Sequence, residues 1–83
     1  MTALIVREWP KSVRENLRVS LDEFNERPVV DIRTWWWNEA GELKPGRAGL
    51  TVSTRHLKPL ADALADAVEK AETAGLIDGR TER

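Results

Sequence analysis

The chain contains no cysteine, which excludes disulfide staples, thiolate metal sites and a cysteine nucleophile. That composition suits a reducing compartment. A cytoplasmic location is expected. Histidine is nearly absent too: His56 stands alone beside the expected helix start, with no second His or Cys to complete a metal site. It reads as a surface or capping residue, and neither metal nor cofactor is expected. No apolar run approaches the roughly 18 residues of a membrane span, and no basic segment leads into an apolar core at the N-terminus. Membrane association and export are not expected. An excess of charge of one sign is also missing, since 13 Lys and Arg oppose 14 Asp and Glu for a net charge of -1. Residues 1–57 hold 9 basic and 8 acidic side chains, and residues 58–83 hold 4 and 6. The chain is no bulk polycation, so any polyanion binding must come from local placement.

At 83 residues the chain can form one domain but buries only about 60 to 70% of its unfolded surface. A core that small is marginal, and pairing with a second copy is a common remedy. Nine of the thirteen basic residues are Arg, the type that stacks on rings and forks onto phosphate. Four Trp accompany a single Phe and no Tyr, and three of the Trp are consecutive at Trp35, Trp36 and Trp37. Strand neighbours point to opposite faces, so at least one of the three rings must leave the core face. Either Trp35 and Trp37 cap the core while a partner subunit covers Trp36, or an exposed ring serves as a platform for bases. The second reading is favoured.

Residues 3–9 are rich in β-formers and end at Pro10, which predicts an edge strand. Leu17, Val19 and Leu21 alternate with Arg18, Ser20 and Asp22, which predicts a half-buried strand reaching about Phe24. A turn over residues 25–28 leads to a second long strand at 29–37, making a hairpin. Another turn covers residues 38–41. Pro45, Gly46 and Gly49 then precede a short strand at 50–52. Ser53 offers an N-cap to an amphipathic helix whose apolar positions are Leu57, Leu60, Leu64, Ala67, Val68 and Ala71. Pro59 predicts either a kink or a first short turn and a restart at Lys58. Gly75 is a natural stop. The expected organisation is one α+β domain over residues 1–75, a four-stranded antiparallel sheet followed by one helix, with a short polar tail over 76–83.

Catalysis finds little support. The carboxylates Asp62, Asp66 and Glu69 fall on the polar side of an exposed helix, where solvation explains them. Residues 44–49 carry two glycines but lack the Gly-Lys-Ser/Thr ending of a triphosphate loop. No catalytic residue is assigned, and an enzyme is not expected. The same segment does offer a backbone able to approach another chain closely, with Lys44 and Arg47 as phosphate donors.

Val30-Asp31-Ile32-Arg33, the nearby Trp36, and the segment Gly41-Glu42-Leu43-Lys44-Pro45-Gly46-Arg47-Ala48-Gly49-Leu50 occur together and in order. Over about residues 17–70 the chain resembles the transcriptional coactivator family of positive cofactor four. The resemblance implies a curved four-stranded antiparallel sheet followed by a helix, homodimers formed largely through that helix, and binding of single-stranded DNA with little sequence preference. By position, Phe24 and Trp36 match aromatics that meet bases, and Arg27 and Arg33 match basic residues that meet the strand. Arg47 lies in the matching glycine segment. Asn25 and Ala48 stand where relatives carry Lys, and Arg27 replaces a Lys, so two cations are missing.

The expected function is sequence-independent binding of single-stranded DNA by a dimeric sheet, with unpaired RNA suiting the same surface, in a coactivator or DNA-maintenance role. The expected contacts are Phe24, Arg27, Arg33, Trp36, Lys44 and Arg47, with Arg33 and Trp36 working with Phe24 and Arg27 across the hairpin. The row Leu57, Leu60, Leu64 and Val68 is too apolar to cover only a small sheet, and is expected to form the dimer interface. The alternative is a protein-interaction module that docks a transcription or repair factor through the Trp triplet and the helix, without touching nucleic acid.

Overall fold

The computed structural model describes residues 3–77. Four strands, β1 (Leu4–Pro10), β2 (Glu15–Phe24), β3 (Arg27–Trp37) and β4 (Leu43–Ser53), form one open antiparallel sheet in the order β1-β2-β3-β4. A 3-10 turn (Thr54–His56) then leads into the helix α1 (Leu57–Thr73). The expected order of four strands and a helix is therefore present. From Asp78 on, the tail expected over 76–83 lies outside the described residues.

Two differences from the expected boundaries have physical causes. The β2–β3 turn is only two residues long, with Asn25 at φ 52° and Glu26 at φ 64°, the left-handed pair that matches the twist of a tight hairpin. This lets β3 begin at Arg27 rather than Val29. β4 runs over eleven residues instead of three. Pro45 and the glycines had suggested a loop, but β4 is an edge strand, where a proline costs no ladder bond on the open side. The glycines serve close approach. A Cβ at Gly46 would stand 2.9 Å from the Thr34 carbonyl oxygen, and one at Gly49 would stand 2.8 Å from that of Ile32. Residues 46–48 lie opposite Thr34 alone, because the register shifts between the Arg33–Gly49 and Trp35–Pro45 pairs.

Of the two outcomes expected at Pro59, the chain takes the short turn and restart, one residue before Lys58; Ser53 caps that turn rather than α1, whose own N-cap His56 makes no side-chain cap bond. Ser53 Oγ accepts from the Arg55 amide at 3.4 Å, and Pro59 falls in the first turn, where its missing N–H costs nothing. At the far end Gly75 is at φ 76°, with its amide donating to the Glu72 carbonyl and the Leu76 amide to that of Ala71. These two bonds close a Schellman cap.

The ladder register sorts the sheet into two faces. Leu4, Trp9, Leu17, Val19, Leu21, Val30, Ile32, Thr34, Leu50 and Val52 share one, here called the Val30 face. Asn16, Arg18, Ser20, Phe24, Asp31, Arg33, Trp35 and Thr51 share the other, the Arg33 face. Val30, 1% exposed, is the one fully buried hydrophobe among the described residues. The 3-10 turn packs on β3, but α1 makes its main contact with that turn, not with the sheet. No residue of α1 is buried. The radius of gyration, 14.7 Å, accordingly exceeds the roughly 12 Å of a compact chain of this length.

Candidate nucleic-acid interface

The Arg33 face holds two charge-paired clusters. Arg18 and Arg33 sit directly opposite one another on β2 and β3, where two bare cations would repel. Each is neutralised separately. Arg18 Nε donates to Glu8 Oε1 at 2.9 Å, and its guanidinium lies 3.8 Å from the centroid of the Trp35 ring. With only 15% of the Arg18 side chain exposed, this stack is worth about 1 to 2 kcal/mol. Asn16 Nδ2 also donates to Glu8, at 2.6 Å. This bond from Asn16, with the bond and charge of Arg18, outweighs burial and holds the Glu8 carboxyl below its usual range.

Arg33 makes six hydrogen bonds. Nε and Nη2 fork onto the Asp31 carboxylate, Nη2 also donates to Thr51 Oγ1, and Nη1 donates to the carbonyls of Gly46 and Arg47. Thr51 Oγ1 in turn donates to Asp31 at 2.6 Å. Burial pushes the Asp31 carboxyl up, but the bonds from Arg33 and Thr51 and the Arg33 charge together bring it below the usual value. Arg33 is raised by the bond to Asp31. Gly49 completes the arrangement, since a Cβ there would lie 2.9 Å from Arg33 Cζ.

The sequence-assigned residues are placed as two groups rather than one. Phe24 and Arg27 pair across the end of the β2–β3 hairpin on the Arg33 face. Phe24 is 66% exposed, and the Arg27 side chain makes no bond among the described residues, so an open ring and an open cation stand together. Trp36 and Lys44 pair across β3 and β4 on the Val30 face. Trp36 is 43% exposed, and Lys44 Nζ lies 3.6 Å from Glu42 Oε1 in an exposed, weak pair. Nine residues of strand, about 30 Å, separate Arg27 from Trp36. One chain therefore does not bring Arg33 and Trp36 together with Phe24 and Arg27. Arg47 projects an exposed side chain, with no bond among the described residues, from the bulged stretch of β4, whose backbone Arg33 holds.

Of the Trp triplet, Trp36 and Trp37 are exposed, while Trp35 is half-buried under Arg18 with its Nε1 lacking an acceptor. Sequence reasoning missed this Glu8–Asn16–Arg18–Trp35 cluster. The alternation that placed Arg18 off the core face was visible, but its partner on β1 depended on register. Among the described residues no group of His, Asp and Glu could hold a metal ion, and no helix is long and apolar enough to cross a membrane.

The helix leaves Leu57, Leu64 and Val68 exposed along one side, with Leu60 half-buried between them. Together these features define a small ββββα domain with open sheet surfaces and an outward apolar helix. Residues 6–63 match the family described as Transcriptional Coactivator p15 (PC4), and the chain belongs to that family of DNA-binding transcription coactivators. The match reaches into β1, beyond the segment that carried the resemblance in sequence.

Solved structures of two proteins show the same fold. The PC4 homolog from Burkholderia pseudomallei is 23% identical, with a TM-score of 0.71 over 80% of this chain, covering 89% of that chain in its orthorhombic crystals and 97% in its tetragonal ones. The bacteriophage T5 homolog of the eukaryotic coactivator PC4, implicated in recombination-dependent DNA replication, is 20% identical. Its TM-score is 0.66 over 86% of this chain and 80% of that one.

Proposed function

We propose that this protein is a homodimer that binds single-stranded DNA without sequence preference, through the ring–cation pairs Phe24–Arg27 and Trp36–Lys44 together with Arg47. The observation that carries the proposal is that both assigned aromatics are exposed on strands, each paired across the ladder with a basic residue. An exposed ring stacks any base, at about 1 to 3 kcal/mol per base, and needs a base already out of its helix. Duplex hides those faces, so unpaired DNA, or RNA of the same form, is the fitting ligand.

Dimerisation supplies what one chain lacks. Leu57, Leu64 and Val68 of the α1 row stay exposed in the single chain, and one fully buried hydrophobe among the described residues is too little core for 83 residues. A second copy covers that row. The two ring–cation pairs lie on opposite faces of the sheet, about 30 Å apart along β3, so one DNA strand meets both only by passing around a sheet edge or from one copy to the next. The biological role that follows is in transcription or DNA maintenance, within the compartment holding the DNA, and without catalysis.

The test is a titration with an unstructured oligonucleotide at several salt concentrations, following Trp fluorescence. Quenching that weakens as salt rises is expected. Absence of any response at low salt would refute the proposal and favour the protein-docking alternative, to which the same helix and rings are suited.

A further inference from the structure

Trp9 and Lys11 belong to none of the groups assigned above. β1 carries one extra residue: Leu4 and Ile5 pair with Leu21 and Ser20, but from Arg7 onward the register has moved by one, so that Trp9 faces Leu17. Side chains alternate along a strand, so this single bulge decides the face that Trp9 takes. In the unshifted register Trp9 would stand opposite Asn16, on the Arg33 face. As it is, the row runs Trp9, Leu17, Thr34, and Trp36 lies two residues further along β3 on the same face.

Standard strand spacing puts the Cα atoms of Trp9 and Trp36 about 12 Å apart. That is too far to sandwich one base and near enough to serve neighbouring ones. Trp9 is 41% exposed, as open as Trp36. Lys11 connects them, because its Nζ donates to Thr34 Oγ1 at 3.3 Å and so reaches back over this face into the Trp9 row. The one carboxylate of β2 at this level, Glu15, accepts from the Ser12 hydroxyl. Two open rings with an ammonium between them match base, phosphate, base in an unpaired strand.

We infer that Trp9 is a second stacking platform and Lys11 a phosphate contact, extending the Trp36–Lys44 surface across β2 to β1. The β1 bulge is the device that turns Trp9 toward the ligand. This rests on the proposed single-stranded DNA binding, and the experiment separates the two. Wild type, Trp36→Ala, Trp9→Ala, Trp9→Phe and Lys11→Gln are titrated with a labelled oligothymidylate by anisotropy at several salt concentrations, and each sample is sedimented in parallel.

Trp9→Ala is expected to weaken binding about 5- to 150-fold and Trp9→Phe to keep most of the affinity, since a ring remains. Lys11→Gln should lower the slope of log affinity against log salt by about 0.7. The inference is overturned if Trp36→Ala weakens binding while Trp9→Ala and Lys11→Gln bind like wild type. It is equally overturned if Trp9→Ala loses affinity only in step with loss of the dimer, which would make Trp9 an interface residue. A wild type that fails to bind at low salt overturns the DNA reading itself.

Discussion

Leu64→Ala tests the dimer most directly, because Leu64 lies mid-helix and touches little in its own chain. It is 55% exposed, so about half of its burial free energy is still to be gained. Full burial of a leucine contributes about 1.5 to 3 kcal/mol, and alanine retains a methyl, which leaves about 1 kcal/mol per copy. A two-fold interface uses each residue twice, giving about 2 kcal/mol per dimer, or about a 30-fold rise in the dissociation constant. The isolated chain should not suffer, since Ala is a better helix former than Leu. Sedimentation over a concentration series reads the constant, and the melting temperature should become more concentration-dependent. Asp62→Ala, on the opposite side of α1 in an exposed pair with Lys58, is the control and should change neither. If Leu64→Ala associates as wild type does, or if wild type stays monomeric at tens of micromolar, the helix is not the dimer surface.

Replacing Trp36 by Ala should weaken oligonucleotide binding about 5- to 150-fold with the circular dichroism spectrum intact; unchanged affinity would move the stacking role to Trp37, since Arg18 already covers one side of Trp35. Gly49→Ala forces contacts of 2.8 to 3.0 Å onto Ile32 and Arg33 and should cost about 1 to 3 kcal/mol in denaturant unfolding. Gly41→Ala meets nothing within 4 Å and should cost only its φ of 80°, about 1 kcal/mol; equal effects at the two sites would contradict the close-approach account. Glu8 and Asp31 are both lowered from their unfolded values of 4.5 and 3.8, so the folded state holds fewer protons. Their stabilisation is complete above those values and is lost as pH falls through the lower folded ones, so stability should hold from pH 7 to about 5, fall below about 4, and fall less steeply in Glu8→Gln.

How much of this was legible in the sequence varies with how local the cause is. The alternation from Leu17 to Asp22 and the three- and four-residue spacing from Leu57 to Val68 are local periodicities, and both elements formed where they pointed. β4 was underread because Pro45, Gly46 and Gly49 carry the same local signature in a loop as in a bulged edge strand. What decides between them is the Thr34 and Ile32 carbonyls across the ladder. Which face each aromatic takes was not legible at all. Parity follows from register, and a single extra residue in β1 reverses it for Trp9.

The same dependence on register recasts Arg33. Sequence position marks it as a cation for the DNA strand, yet all three of its nitrogens are engaged, by Asp31, Thr51 and the Gly46 and Arg47 carbonyls. A guanidinium with 22% of its side chain exposed and a carboxylate 2.9 Å away has little charge left to offer a phosphate. Its bonds to residues 46 and 47 instead fix the bulge from which Arg47 projects. The two roles predict opposite signs for Asp31→Ala. Were Arg33 a phosphate ligand restrained by Asp31, the variant would bind DNA more tightly, with the salt slope steeper by about 0.7. If Arg33 anchors β4, losing Asp31 slackens the bulge and weakens binding. Arg47→Ala should then add little to Arg33→Ala, because both remove the same contact. Additive losses, or tighter binding by Asp31→Ala, would return Arg33 to the DNA surface.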